Sequence, residues 1–226
     1  MIKERVKKIL SQLPADVELV AAAKTRGAQE IIEAVKAGVR IIGENYVQET
    51  ERVQREIRER NPEIADRIVW HFIGHLQTNK VKKAIEMFDM IETVDSLEIA
   101  REIEKRCAHL KRVMPILVEV NSARERQKFG VFPEKVEELV RRLAELRYVK
   151  VMGLMTMGPQ GESEEMRLYF RDTRRIFERI KSKGIRNVEM RYLSMGMSNS
   201  YRVAIEEGAN IVRIGTGIFG ERSTAL

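Results

Sequence analysis

Short apolar, β-branched runs alternate along this chain with longer stretches whose apolar residues recur at helical spacing. That is the pattern of repeated βα units around a parallel sheet. The strand candidates are 18–25, 40–45, 68–74, 90–95, 114–121, 149–156, 188–195 and 210–215. Between them the spacing predicts helices over 28–37, 46–59, 78–87, 96–111, 133–146, 164–183 and 198–207, and residues 2–12 add one before the first strand. Terminal signals agree: Ser96 suits a helix cap, Pro133 a first helical turn, and Gly38, Gly184 and Gly208 sit where helices should stop. Eight strands in strict alternation can close and so lose their edges, which predicts an α/β chain: a single (β/α)8 TIM-type barrel with an extra N-terminal helix, one domain over residues 1–226. A doubly wound open sheet is the alternative. The longest surface loops are expected at 123–132 and 158–163.

Composition narrows this picture without redrawing it. A chain of 226 residues, 43% of them hydrophobic, can bury one substantial core. No apolar run reaches membrane-spanning length, and the opening Met1-Ile2-Lys3-Glu4-Arg5 is charged where a secretory signal would be apolar. A cytoplasmic protein with no membrane partner is expected. The net charge of +7 comes from residues of both signs spread along helix-like stretches such as Glu51 to Glu56. The basic clusters Lys80 to Lys83, Arg141-Arg142 and Arg174-Arg175 lack the interleaved aromatic residues of single-strand binders, so they read as solvated helix surface and no nucleic-acid partner is expected. The single cysteine, Cys107, fits a reducing compartment, and Cys107-Ala108-His109 has no metal-ligand spacing. No metal is expected.

Functional groups of a barrel gather where strands end and βα loops begin. Polar residues recur at those places: Lys24-Thr25, Glu44-Asn45, Asp95, Glu119 with Asn121, Thr156, Ser194 and Arg213. Lys24 follows Ala21-Ala22-Ala23, small residues that leave room for a bulky group; apolar surroundings would lower its pKa and free the amine to attack a carbonyl. The competing reading is a lysine that has left the sheet for water. In Ser194-Met195-Gly196-Met197-Ser198-Asn199-Ser200, Ser198 can cap a helix beginning near Tyr201 and offer hydroxyl and amide to an anion. Gly215-Thr216-Gly217 follows the next strand in the same way, and two such loops at the last two strands suit a phosphate cup, although serine and glycine also make ordinary turns. Arg213 should face the barrel mouth and needs a partner there: a carboxylate such as Glu44 or Asp95, or a heteroaromatic nitrogen. His71 and His75 would share one strand face about 13 Å apart, too far for a common metal, and read as structural histidines. Met195 and Met197 read as core filling.

Taken together, these residues resemble the YggS/PROSC family of pyridoxal 5′-phosphate (PLP) homeostasis proteins. The likeness runs from Ala23-Lys24-Thr25 through Ile42-Gly43-Glu44-Asn45-Tyr46-Val47-Gln48-Glu49, Trp70 to Lys80, Val120-Asn121 and Gly153-Leu154-Met155-Thr156 to Leu193 to Ser198 and Val212 to Gly220. The resemblance implies a barrel similar to the one in alanine racemase, with PLP as cofactor and a Schiff base on Lys24. It further implies that Ser198, Gly215 and Thr216 hold the phosphate, that Arg213 faces the pyridine nitrogen, that Asn45 lines the cofactor face and that Ser194 orients Arg213. The family often has Asp where this chain has Ser200, which leaves that carboxylate's role without a bearer here.

An arginine cannot in practice give a proton to the ring nitrogen, so the ring would be a weak electron sink. The chain also ends at Leu226, soon after the last strand, without the further domain that supplies alanine racemase with its second base. The expectation is therefore a monomeric PLP carrier without robust catalysis that serves PLP-dependent apoenzymes. The alternatives are a PLP-dependent amino-acid racemase or related enzyme, with His75 or Tyr46 as base, and a cofactor-free barrel using Lys24 as an aldolase-type amine.

Overall fold

The computed structural model describes residues 1–159 and 161–221. Eight parallel strands close in chain order: β1 Glu18–Ala22, β2 Ile41–Glu44, β3 Val69–Phe72, β4 Met90–Val94, β5 Met114–Glu119, β6 Val149–Met155, β7 Val188–Ser194 and β8 Ile211–Ile214. β8 pairs back onto β1, so the sheet has no edge and the open alternative falls. Around it lie α1 Ile2–Leu10, α2 Ala28–Lys36, α3 Val47–Arg60, α4 Pro62–Ala65, α5 Val81–Met87, α6 Leu97–Leu110, α7 Val136–Leu143, α8 Met166–Lys181, α9 Tyr201–Glu206 and α10 Thr216–Phe219. This is a (β/α)8 barrel preceded by one extra helix.

Every strand foreseen from the apolar pattern is present; β2, β3 and β8 begin one residue later than expected, and each strand stops one to three residues early. Hydrophobicity continues past the last ladder pair, because residues such as Ala23, Ile73 and Met195 stay buried after the chain has begun to turn. Two single-turn helices escaped the pattern. Pro62 opens α4, and α10 starts at Thr216 inside what reads as a glycine turn. The predicted starts at 78 and 133 are 3-10 turns, Thr78–Lys80 and Pro133–Lys135, that lead into α5 and α7. Ser96 caps α6, its Oγ accepting the Ile99 N–H at 3.4 Å. The expected loop at 158–163 includes Gln160, which lies outside the described residues, as does the tail 222–226.

Two apolar layers form. Outside the barrel, strand residues such as Ile42, Phe72, Ile91 and Ile116 join Ile31, Phe88, Ile103 and Phe170 of the helical shell. Inside, Val20, Ile41, Ile73 and Ile211 form one small cluster and Met90, Leu117 and Met155 another, with Tyr192 packed on both. Cys107 is buried in the outer layer, where loss of solvation pushes its thiol up to about 11. The register shifts in β6 between Val151 and Gly153, where φ is +151° and any Cβ would collide with the Tyr192 carbonyl, so only glycine admits this close strand approach.

Members of each basic cluster pair with carboxylates. Lys83 pairs with Glu51, Arg141 with Glu137, Arg175 with Asp172, and Arg174 approaches Glu178. Such exposed pairs each contribute about 0–1 kcal/mol. Among the described residues no helix is long and apolar enough to cross a membrane.

Candidate functional site

Alternation places a polar group inside the barrel. Glu92 is two residues from Met90, His71 two from Ile73, Ser194 two from Tyr192 and Arg213 two from Ile211, so each shares the inward face of an interior apolar residue. All four are buried, from 0% to 4% exposed, which obliges them to satisfy one another. They do. His71 Nδ1 lies 2.6 Å from Glu92 Oε1, Ser194 donates its hydroxyl to Glu92 Oε2 at 2.6 Å, and Arg213 Nη1 donates to Ser194 Oγ at 2.5 Å. Arg213 Nη2 donates to the Thr156 carbonyl at 2.8 Å and to Met157 Sδ at 3.4 Å, and its guanidinium is 3.9 Å from Glu92.

The buried partner of Arg213 is thus Glu92, not Glu44 or Asp95. Glu44 shares its strand face with the outward Ile42 rather than with Arg213. Nothing in the strand-end reading pointed to Glu92, because it sits within β4 rather than at its rim; a charged residue inside an otherwise apolar or neutral strand was the available signal. Burial, the largest influence on Glu92, opposes its ionisation, yet the His71 hydrogen bond, the charges of His71 and Arg213 and the Ser194 hydroxyl together hold the carboxyl below its ordinary value. Desolvation lowers the Arg213 pKa against the pull of Glu92 and Glu119.

At the mouth, β1 and β8 are direct neighbours, with Ala21 beside Ile214. Lys24 stands two residues past the end of β1, and Gly215 and Thr216 follow β8. A Cβ on Gly215 would lie 3.1 Å from the Ala22 carbonyl, so the two strand ends approach closely. Lys24 is exposed rather than enclosed by apolar groups, which corrects the expected environment of its amine. Ser198 does not cap α9. Ser200 occupies that place and accepts the Met197 N–H at 3.2 Å, while Ser198 Oγ accepts the Gly217 N–H at 3.1 Å. The seventh and eighth loops are tied together by that bond. Ser194 and Arg213 are joined as the sequence suggested. Asn45 lines a mouth cavity of about 540 Å³ with Thr93, Glu119, Asn121 and Met197, and its Oδ1 is buried with no hydrogen-bond partner among the described residues. Ser198 and Gly217 line a neighbouring cleft of about 470 Å³ beside Arg5, Lys8 and Arg202. Lys24, Ser194, Arg213, Gly215 and Thr216 line neither space.

The two histidines part company. β3 ends at Phe72, so the shared strand face expected of them does not exist. His71 is the buried partner of Glu92, whereas His75 is exposed at the mouth and stacks on Phe129 with ring centroids 3.5 Å apart. Met195 fills the core, but Met197 lines the cavity.

The chain is similar to known proteins. The description "Alanine racemase, N-terminal domain" matches residues 1–223. The chain belongs to the alanine racemase N-terminal domain family. Within it, the chain is 43% identical over 206 residues to the pyridoxal phosphate homeostasis protein of Aquifex aeolicus, covering 91% of this chain and 87% of that one. PipY of Synechococcus elongatus PCC7942, solved with PLP bound, superposes with a TM-score of 0.88 at 33% identity, over 97% of this chain and all of that one. An alanine racemase of Clostridium difficile 630, at 18% identity and a TM-score of 0.77, covers 99% of this chain and 60% of its own length, a likeness of fold alone.

Outside the polar stack, Glu44 is 1% exposed, and burial first, then the neighbouring Glu49, push its carboxyl up to about 8, against a backbone hydrogen bond at Asn45. Between pH 4.5 and about 8 the folded state keeps a proton that the unfolded state has released, so this group's contribution to stability is complete below pH 4.5 and is lost as pH rises through 8. Glu44→Gln should therefore flatten the fall in stability between pH 5 and 8, and urea unfolding at both values measures it. An unchanged slope would show that Glu44 ionises normally.

Proposed function

We propose that this chain is a PLP-binding protein of cofactor homeostasis that holds the cofactor on Lys24 as a Schiff base. The observation that carries this reading is the convergence at one mouth of a lysine two residues past β1 and a loop pair, joined by Ser198 and Gly217, past the adjoining β8. The donor set fits the group. Ser198, Gly215 and Thr216 offer hydroxyls and amides to a phosphate, Arg213 offers its guanidinium to the ring nitrogen, and the unpartnered Asn45 Oδ1 offers an acceptor at the cavity wall. Likeness to PipY and to the Aquifex homeostasis protein supports the same ligand.

When bound, PLP supplies an aldehyde carbon that condenses with amines and a ring that accepts electrons. The chain's residues limit the second property. Arg213, fixed by Ser194 and Thr156 and balanced by Glu92, cannot protonate a ring nitrogen, so it orients the cofactor without making it a strong electron sink. Reversible carriage follows more naturally from this than rapid turnover. We read the protein as a cytoplasmic monomer, one domain over residues 1–226, that passes PLP to PLP-dependent apoenzymes and has no nucleic-acid partner.

Loading with PLP, reducing with borohydride and mapping the peptides by mass tests the proposal. The Lys24 peptide should carry the added mass; mass on another lysine, or on none, defeats it.

A further inference from the structure

The helix that precedes the barrel lies against the loop that follows β8. Val6 and Ile9 are the buried residues of α1. Ile9 Cδ1 is 3.7 Å from where a Cβ on Gly217 would stand, and Arg5 Nη1 is 2.8 Å from one on Gly220. Arg5 and Lys8 are three residues apart and so share a helix face. With Arg202 of α9 they line the 470 Å³ cleft that Ser198 and Gly217 also line, and no carboxylate is among its described lining residues. Elsewhere Lys83, Arg141 and Arg175 each have an acidic partner. Arg202 is oriented here without being neutralised. Its Nη2 donates to Gln12 Oε1 at 3.0 Å and its Nε to Tyr201 Oη at 3.3 Å, while that hydroxyl donates to the same Gln12 oxygen at 2.9 Å. Gln12 thus ties the segment after α1 to α9 and leaves three positive charges around one space.

Like charges gathered in a cleft repel one another, so they add nothing to folding, and an anion turns that repulsion into attraction. We propose that this cleft is a second anion site, completed by the extra N-terminal helix, for a small ligand bearing two linked phosphates. One phosphate carries a charge of about −1.5 to −2 near pH 7, short of three cations, and two linked phosphates match them. The guanidinium forks of Arg5 and Arg202 suit paired phosphate oxygens, and Lys8 adds a point charge. Lys24, Asn45, Gly215 and Thr216 line no part of the cleft. A site here does not require the Schiff base on Lys24.

Isothermal titration calorimetry of PLP-loaded protein with inorganic pyrophosphate at low salt tests the site. One equivalent should bind, and the double variant Lys8→Gln, Arg202→Gln should bind about tenfold or more weakly, the loss expected for charge-assisted contacts. Lys83→Gln, whose lysine pairs with Glu51 outside this cleft, should bind as the unmutated protein does. No binding, an equal loss in Lys83→Gln, or equal affinity for inorganic monophosphate overturns the inference. So does binding that loading with PLP abolishes, since the cleft would then be the seat of the cofactor's own phosphate. Borohydride reduction of the same sample reports on Lys24 separately; should no PLP load, the same titration of the unloaded protein decides the site by the same variants. If the double variant fails to fold, amide NMR shifts of the unmutated protein decide it: pyrophosphate shifts centred on Arg5, Lys8 and Arg202 support the site, and shifts centred elsewhere overturn it.

Discussion

Glu92→Ala should cost the folded protein about 3–5 kcal/mol at pH 7, the range for removing one partner of a buried charge pair. Three groups lose their counterpart at once. Arg213, 3% exposed, keeps its charge with no carboxylate 3.9 Å away; Ser194 loses an acceptor at 2.6 Å; and His71 loses its partner at 2.6 Å. Glu92→Gln should cost less, since an amide oxygen still accepts a hydrogen bond while the charge is gone. Pairing Glu92→Ala with Arg213→Met should recover much of the loss, because the uncompensated cation is then absent. Urea unfolding of the set measures all three. A loss under about 1 kcal/mol for Glu92→Ala would mean that water or local rearrangement already serves Arg213.

Lys24→Ala should abolish the borohydride-reducible adduct completely. It should also change stability by only about 1 kcal/mol or less, because the side chain is exposed at the mouth. The two readouts separate binding from folding. The loops of Ser198 and Gly215 to Gly217 do not depend on that lysine for their mutual hydrogen bond, so residual PLP binding through the phosphate should persist and be seen by equilibrium dialysis. A variant that still acquires reducible mass would place the reactive amine elsewhere. Equal PLP affinity in variant and unmutated protein would remove Lys24 from the account.

The sequence made the placement of the candidate residues legible. Lys24, Asn45, Ser194, Ser198, Arg213, Gly215 and Thr216 all lie at or just past strand ends on the same rim, since the order of strands and loops fixes which end of the barrel each one occupies. What they bond to was less legible. Ser198 reads as a cap for the helix that follows it, yet it bonds Gly217, nineteen residues on, because closure of the barrel brings β7 and β8 loops side by side. Glu92 reads as one more charge in a highly charged chain, and only the meeting of β3, β4, β7 and β8 around it shows why it cannot be exchanged for a neutral residue without cost.

The number and order of strands and helices are written locally, because side-chain periods of 2 and 3.6 depend only on near neighbours in the chain. So is the inward alternation that aims Arg213 at the barrel interior. Closure of β8 onto β1, the shift at Gly153 and the choice of Glu92 as the arginine's partner are all contacts between distant segments. Their energy depends on which groups share a desolvated space, and that space exists only once the chain has closed around it.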